Sequence, residues 1–321
     1  MEFGFELSLC SWLETTTDWI VARQLGGAVA TPGSRIVDIC GVRPGSEFDA
    51  RTRITSESIP SLAIESDVGA GEAVDWRTAF DCSADHARSV IDRAVDCGFF
   101  AVDRRKGRRV VRQTTRYPDW IGGLVGIENK PDLGTPGDLQ RQLQLDVSLG
   151  LFDTVILATE SYVTEAHLNR IPDAAGVWRF DPETADRTVI REPTALTVDE
   201  MGVEPQTAKP LQTDVAFVTP SDKATKRRRI AERAYGKGWR TYEFPDCRHI
   251  EATTDGRPYC SWFDRVVNPG VECGVDCEGF AAGEPPLVDR KELRDSRSPW
   301  VAEPAGTQRA QSGLDQFGGD G

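Results

Sequence analysis

Apolar residues recur every three to four positions on one face of a helix and every two on one face of a strand, and this periodicity divides the chain into elements. Residues 3–14 (FGFELSLCSWLE) have helical spacing, with Phe3, Leu7, Cys10 and Leu13 near one face. Residues 35–42 (RIVDICGV) read as a strand and the RPGSEFD that follows as a turn. Residues 84–97 (ADHARSVIDRAVDC) predict a helix with Ser83 as N-cap and Gly98 as its stop. FFAVDRRKGRRVVRQ then reads as strand, basic turn, strand. Helix plus basic hairpin has the outline of a winged helix, or of a helix simply packed on a hairpin. LVGIENK predicts a strand, LQRQLQLDVSLGLF a helix on Leu139, Leu143 and Val147, and DTVILATES a strongly apolar strand. GVWRF and RTVIR predict two more strands. Residues 192–220, rich in Pro and Thr, read as a linker or a long surface crossing, and a helix is expected at about 221–236.

Strands alternating with helices indicate an α/β fold, and 321 residues suffice for two domains or for one with insertions. The expected divisions are an α/β core over 1–200 with an insertion at about 43–107, a basic helix plus a Cys-rich segment over 201–283, and a tail over 284–321. The tail is rich in Pro, Gly, Asp and Ser, and 303–321 is expected to be disordered. No apolar run approaches the length of a membrane span, and the start, MEFGFELSLC, has no basic segment, so a cytoplasmic protein is expected.

Charge changes the picture locally. The net charge is −13, with seven Lys against 31 Arg, a halophile-like composition in which an acidic surface keeps the chain dissolved in high salt. Residues 223–240 reverse it, with eight Lys or Arg and one Glu. Lys226, Arg227, Arg228, Arg229, Arg233 and Lys237 are candidate contacts to a nucleic-acid backbone, with Tyr235 and Trp239 placed to stack on bases. The alternative is a solvated helix facing acidic surface elsewhere. The RRKGRR turn at 104–109 is a second basic segment.

Within YPDWIGGLVGIENK, Glu128 and Lys130 fall two apart on a strand and are therefore expected to share a face. A bend at the Gly122–Gly123 pair would bring Asp119 back beside Glu128. Two carboxylates at close range repel, and a hard divalent cation relieves that repulsion. Asp38, an acid inside the apolar run RIVDIC, is a rival to Asp119, because a buried carboxylate is costly unless paired or metal-bound.

Pro118-Asp119 followed by Glu128-Asn129-Lys130, a helix and the strand DTVILAT resembles the PD-(D/E)XK nuclease superfamily, in particular its RecB-like members. The resemblance implies a restriction-endonuclease-like core of helix, three strands, helix and strand. It also implies Mg²⁺ or Mn²⁺ held by Asp119 (or Asp38) and Glu128, with Lys130 positioning the attacking water. Gln142 matches the Gln of the Gln-x-x-x-Tyr motif in RecB-like members, although Asp146 stands where the Tyr would be. Glu6 would be the acidic residue that many members carry on the first helix. The whole chain further resembles an uncharacterised family of haloarchaeal proteins.

Eight Cys in a cytosolic chain argue against disulfides. Cys247, Cys260, Cys273 and Cys277 cluster with the spacing C-x12-C-x12-C-x3-C, a candidate four-thiolate zinc site in a small subdomain. Reduced thiols without a metal are the alternative. His249 is a further possible ligand. Some RecB-like nucleases staple an early Cys to late ones around a [4Fe–4S] cluster, and Cys10 resembles that early Cys. The favoured expectation is thus a metal-dependent nuclease acting on DNA, in repair or defence. Its rivals are a non-catalytic nucleic-acid-binding or regulatory protein with a structural zinc, and a protein-interaction module.

Overall fold

The computed structural model describes residues 2–52, 59–66, 68–70, 73–80, 82–114, 117–209 and 211–297; the disorder expected at 303–321 lies outside them. The chain opens with α1 (Glu2–Thr16), followed by antiparallel β1 (Ile20–Gly26) and β2 (Ile36–Pro44). An inserted module comes next: α2 (Phe48–Thr52), α3 (Ser61–Glu65), β3 (Val74–Asp75), α4 (Ala84–Asp96), β4 (Phe100–Arg105) and β5 (Arg108–Gln113). β6 (Ile121–Asn129) returns to the main sheet antiparallel to β2. α5 (Leu139–Leu149) crosses over to β7 (Thr154–Thr159), which runs parallel to β6. After α6 (Glu165–Leu168), β8 (Gly176–Asp181) lies parallel to β7, and β9 (Asp186–Arg191) pairs antiparallel to β8. The resulting mixed sheet has six strands in the order β1-β2-β6-β7-β8-β9.

Helices cover both faces of this sheet, and that is why β6 and β7 read as continuous apolar runs. On one face α1 packs Phe5, Leu9 and Leu13 with Val125, Ile127 and Ile156. On the other, Leu143 and Leu149 of α5 pack with Leu124, Val155 and Leu157. The same face takes Ile230, Ala231 and Ala234 of α7 (Pro220–Lys237). β6 passes so close to Phe152 at Gly126 that a Cβ there would sit 2.9 Å from the ring.

Several expectations are corrected. Residues 20–26, for which no element was expected, form a strand in which Gln24 takes a left-handed φ of 55°. The insertion extends to Gln113. FFAVD and RRVVRQ form β4 and β5 of a three-stranded sheet with β3, around a core of their own that includes Trp76, Ile91, Phe100 and Val111. A buried fork from Arg51 to Glu232 (2.7 and 2.6 Å) ties this module to α7. The presumed linker contains a hairpin, β10 (Gly202–Lys209) with β11 (Gln212–Val218).

The C-terminal part carries β12 (Ile250–Ala252), β13 (Pro258–Cys260) and β14 (Arg265–Val266), then α8 (Pro269–Glu272) and α9 (Arg290–Arg297). Among the described residues its own buried cluster is Ile250, Cys260 and Val267. Among the described residues no helix is long and apolar enough to cross a membrane.

Candidate functional site

The register of β2 and β6 brings acids together. Ile39 faces Ile127, and one step beyond that pair come Asp38 and Glu128. Asp38 Oδ2 accepts the Asn129 N–H at 2.9 Å, which holds its carboxylate at the end of β6. Glu6 reaches the same place from α1. Its Oε1 accepts Arg23 Nε at 2.8 Å and Gln24 Nε2 at 3.1 Å. The same Gln24 amide lies 3.5 Å from Asp38 Oδ1, so Gln24 links the two acids from its left-handed position on β1.

Arg35, 3 % exposed at its side chain, enters just before β2. It makes a two-pronged contact with Asp146 of α5 (Nε to Oδ1 3.0 Å, Nη2 to Oδ2 2.6 Å), and Nη2 also meets Glu128 Oε2 at 2.6 Å. Lys130 lies just past the end of β6, with its Nζ 3.8 Å from Glu2 at the start of α1. Glu128 therefore turns toward Arg35 and Asp146 of α5, while Lys130 turns toward α1.

Negative charge exceeds positive in this cluster, and the carboxyls respond. Burial pushes Glu128 well above the usual carboxylate range, the Asp38 charge adds to it, and Arg35 opposes both. Asp38 is raised by burial and by Glu6 and Glu2, against the Asn129 N–H and Arg35. Burial also raises Asp146, opposed by its bonds to Arg35. Such a pair of adjacent, under-compensated carboxylates suits a hard divalent cation, for which one or two protein carboxylates plus water are sufficient donors. Asp38 and Glu128 are the residues that could hold one. Among the described residues, however, no group of three or more His, Cys, Asp or Glu side chains is drawn together as a ready-made metal cage.

Other expected site residues lie elsewhere. Asp119 is exposed two residues before β6, with its backbone N–H donating to Glu47. Gly122 and Gly123 lie within β6, which pairs with β2, so the chain does not bend back. Nine residues of extended chain put Asp119 roughly 30 Å from Glu128, and Asp38 takes its place. Gln142 sits half-buried one turn before Asp146 on α5, and it is Asp146 that reaches the cluster.

The basic helix is not a solvated stripe. Lys223 is buried on the carbonyls of Thr197 and Glu200. Arg227 bonds Asp153 at 2.7 Å, Arg228 lies 4.7 Å over the Tyr117 ring, and Lys237 donates to the carbonyls of Arg23 and Gln24. Lys226, Arg229 and Arg233 have partners too. Lys237 ties α7 to β1 and Arg227 ties it to the segment before β7, while the apolar positions at 230, 231, 234 and 235 turn one face inward. Tyr235 and Trp239, expected to stack on bases, are core residues.

The late cysteines approach one another without forming a metal cluster among the described residues. A turn closed by the Ile250 N–H on the Cys247 carbonyl sets Cys247 beside β12, where Ile250 pairs with Cys260. Cys273 packs on the same small cluster. Its thiol is pushed up to about 11 by burial and by the nearby Cys260, Cys277 and Cys247. Among the described residues no disulfide links any of the eight cysteines. Cys10 is buried on α1, and the charges acting on it are Glu6, Arg23, Glu14 and Arg240 rather than other thiols. The His249 ring lies against Trp262.

Gln24, Arg23, Arg35 and Asp146 escaped the sequence reading. Arg35 at the edge of RIVDIC and Asp146 at the fourth position after Gln142 were the signals available. Fold and site together define a mixed α/β protein with a buried cluster of acids and arginines at one end of β2 and β6. The chain belongs to the family of unknown function DUF5787, whose model matches residues 20–282. That span includes Asp38, Glu128, Lys130 and the four late cysteines and excludes Glu6. No curated protein and no solved structure matches the chain.

Proposed function

We propose that this protein is a metal-dependent nuclease that hydrolyses DNA phosphodiester bonds, with Asp38 and Glu128 as metal ligands. The observation that carries the reading is the pair Asp38 and Glu128, opposite each other across β2 and β6, with Glu6 linked to Asp38 through Gln24 and Lys130 one residue past the end of β6. The sequence α1, β1, β2, β6, α5, β7 also follows the helix, three strands, helix, strand order of the PD-(D/E)XK resemblance. A bound Mg²⁺ or Mn²⁺ would polarise a phosphoryl oxygen and acidify a water. The chain's own residues do the rest. Arg35 and Asp146 hold the Glu128 carboxylate in place, Gln24 links Glu6 to Asp38, and Lys130 offers a proton donor to orient water or offset phosphate charge.

The test is cleavage of DNA in molar KCl with Mg²⁺ or Mn²⁺, with EDTA as control. Wild type should nick or degrade DNA, and Glu128→Ala and Lys130→Ala should lose orders of magnitude. Unchanged activity in both variants refutes the reading.

A second reading is a non-catalytic nucleic-acid-binding or regulatory protein, favoured by the hold of Arg35 on Glu128 at 2.6 Å. Under either reading the four late cysteines are proposed to bind a structural zinc. The support is a subdomain whose own buried cluster is Ile250, Val267 and the proposed ligand Cys260, too small to hold it without a further tie.

A further inference from the structure

A second concentration of positive charge lies apart from the cluster of Asp38 and Glu128. A cavity of about 280 Å³ opens between α1, the start of β1, the C-terminal end of α7 and α9. Lys237, Arg240, Arg290, Lys291 and Arg294 line it, against one acid, Glu14. Part of that charge is compensated. Arg240 makes a two-pronged contact with Glu14 at 2.9 and 2.6 Å, and Arg290 does the same with Glu243 at 2.9 and 3.0 Å. Lys237 instead meets carbonyl oxygens, and Lys291 is exposed at the rim. Burial, and then the nearby Arg23 and Arg233, hold Lys237 below the usual lysine range against the pull of Glu6.

A second observation points to a ligand. Trp239, 1 % exposed, lines this cavity, and its indole N–H is buried with no hydrogen-bond acceptor. A buried donor left unpaired costs about 1–3 kcal/mol, so such groups usually have an unseen partner. An anion with several acceptor oxygens among these cations would supply one once the indole edge turns toward the cavity.

The cavity also leads toward the acidic cluster. Lys237 lines both it and a neighbouring hollow of about 430 Å³ whose wall is Gln24, Leu25 and Gly26 of β1. Gln24 bonds Glu6 and lies 3.5 Å from Asp38. β1 is the edge strand of the main sheet, with α7 beside it and Lys237 on its Arg23 and Gln24 carbonyls.

We infer that the cavity around Lys237, Lys291 and Trp239 is a phosphate site that grips a nucleic-acid strand and leads it along β1 to the carboxylates. The choice of a nucleic acid as the source of the phosphate rests on the nuclease reading; the phosphate site itself does not. The grip is electrostatic and independent of base sequence, and it weakens as salt rises. An acidic protein thereby keeps one local track for a polyanion.

The test uses the full chain in EDTA, where cleavage is off, at the lowest salt it tolerates. Inorganic phosphate is titrated calorimetrically against chloride at matched ionic strength, and then a single-stranded oligonucleotide is titrated with and without phosphate. Phosphate should bind saturably, at least tenfold more weakly in Lys291→Glu and in Trp239→Phe, and the oligonucleotide should compete with it. Lys291 is exposed, and Phe preserves most of the ring packing, so circular dichroism should report intact folds. If phosphate has no effect beyond chloride, or both variants bind it as wild type does, the site is refuted. If phosphate binds but the oligonucleotide does not compete, the strand assignment falls while the phosphate site stands. The Glu128 cleavage assay, which needs no phosphate titration, decides the nuclease reading separately.

Discussion

Replacing Arg35 by methionine removes the one guanidinium shared by Glu128 and Asp146 while keeping much of its volume. The side chains of Arg35, Asp146 and Glu128 are 3 %, 4 % and 7 % exposed, so solvent screens this contact little. Breaking a buried pair by removing one partner costs about 3–5 kcal/mol, because the other charge is left uncompensated. At roughly 2–3 °C per kcal/mol for a chain of this size, that is a fall of about 6–15 °C in Tm. The sign with pH follows from the acids. Both are raised by burial with Arg35 in place and will rise further without it. The folded variant then holds protons that the unfolded chain has released, and its stability falls as pH rises through neutrality. Urea midpoints in constant KCl at pH 5 and pH 7.5 measure this. The deficit relative to wild type should be larger at pH 7.5, and Arg35→Met with Asp146→Asn should cost less than the two single changes summed. A deficit under about 1 kcal/mol at pH 7.5, or one equal at both pH values, refutes the view that Arg35 is the counter-charge of this cluster.

Asp38→Asn should abolish metal-dependent cleavage and Asp119→Asn should leave it within about twofold, since a residue outside the site offers no transition-state contact; the reverse outcome restores Asp119 to the site. Elemental analysis should find about one zinc per chain, lost in Cys273→Ser with Cys277→Ser, whereas four irons and absorption near 400 nm would favour an iron–sulfur cluster. Asp255 is held down at about 2: burial works against its charge, but bonds from Ser11 and Thr253 and the Arg257 charge outweigh it. Its contribution is present above the ordinary aspartate range and is lost as pH falls through about 2. Asp255→Asn should therefore cost about 1–2 kcal/mol at neutral pH, allowing for solvent screening, and thermal melts should show the gap closing as pH drops from 4 toward 2.

Local sequence determined the elements whose pattern and environment agree. The Ser83 cap, the stripe at Leu139 and Leu143, and the apolar runs at 124–129 and 154–159 became α4, α5, β6 and β7, because each buries the face its periodicity presents. Glu128 and Asp38 stood out for a related reason: a carboxylate inside an apolar run costs free energy unless something compensates it. Which acids would meet was decided by tertiary structure. The Asp119 and Glu128 pairing needed a bend that the β2–β6 ladder does not allow, and that same ladder set Asp38 beside Glu128 across more than eighty intervening residues. Arg35 found Asp146 through the crossover that lays α5 over the sheet, a contact with no local signature. The charge of the helix at 220–237 was legible, but its use was not. A row of Arg and Lys reads alike whether it faces solvent or reaches from a buried helix to Asp153 and to backbone carbonyls, and only the packing of α7 on the sheet distinguishes the two. Composition belongs to the chain, whereas desolvation and pairing belong to the fold, and it is desolvation and pairing that set the chemistry of each charge.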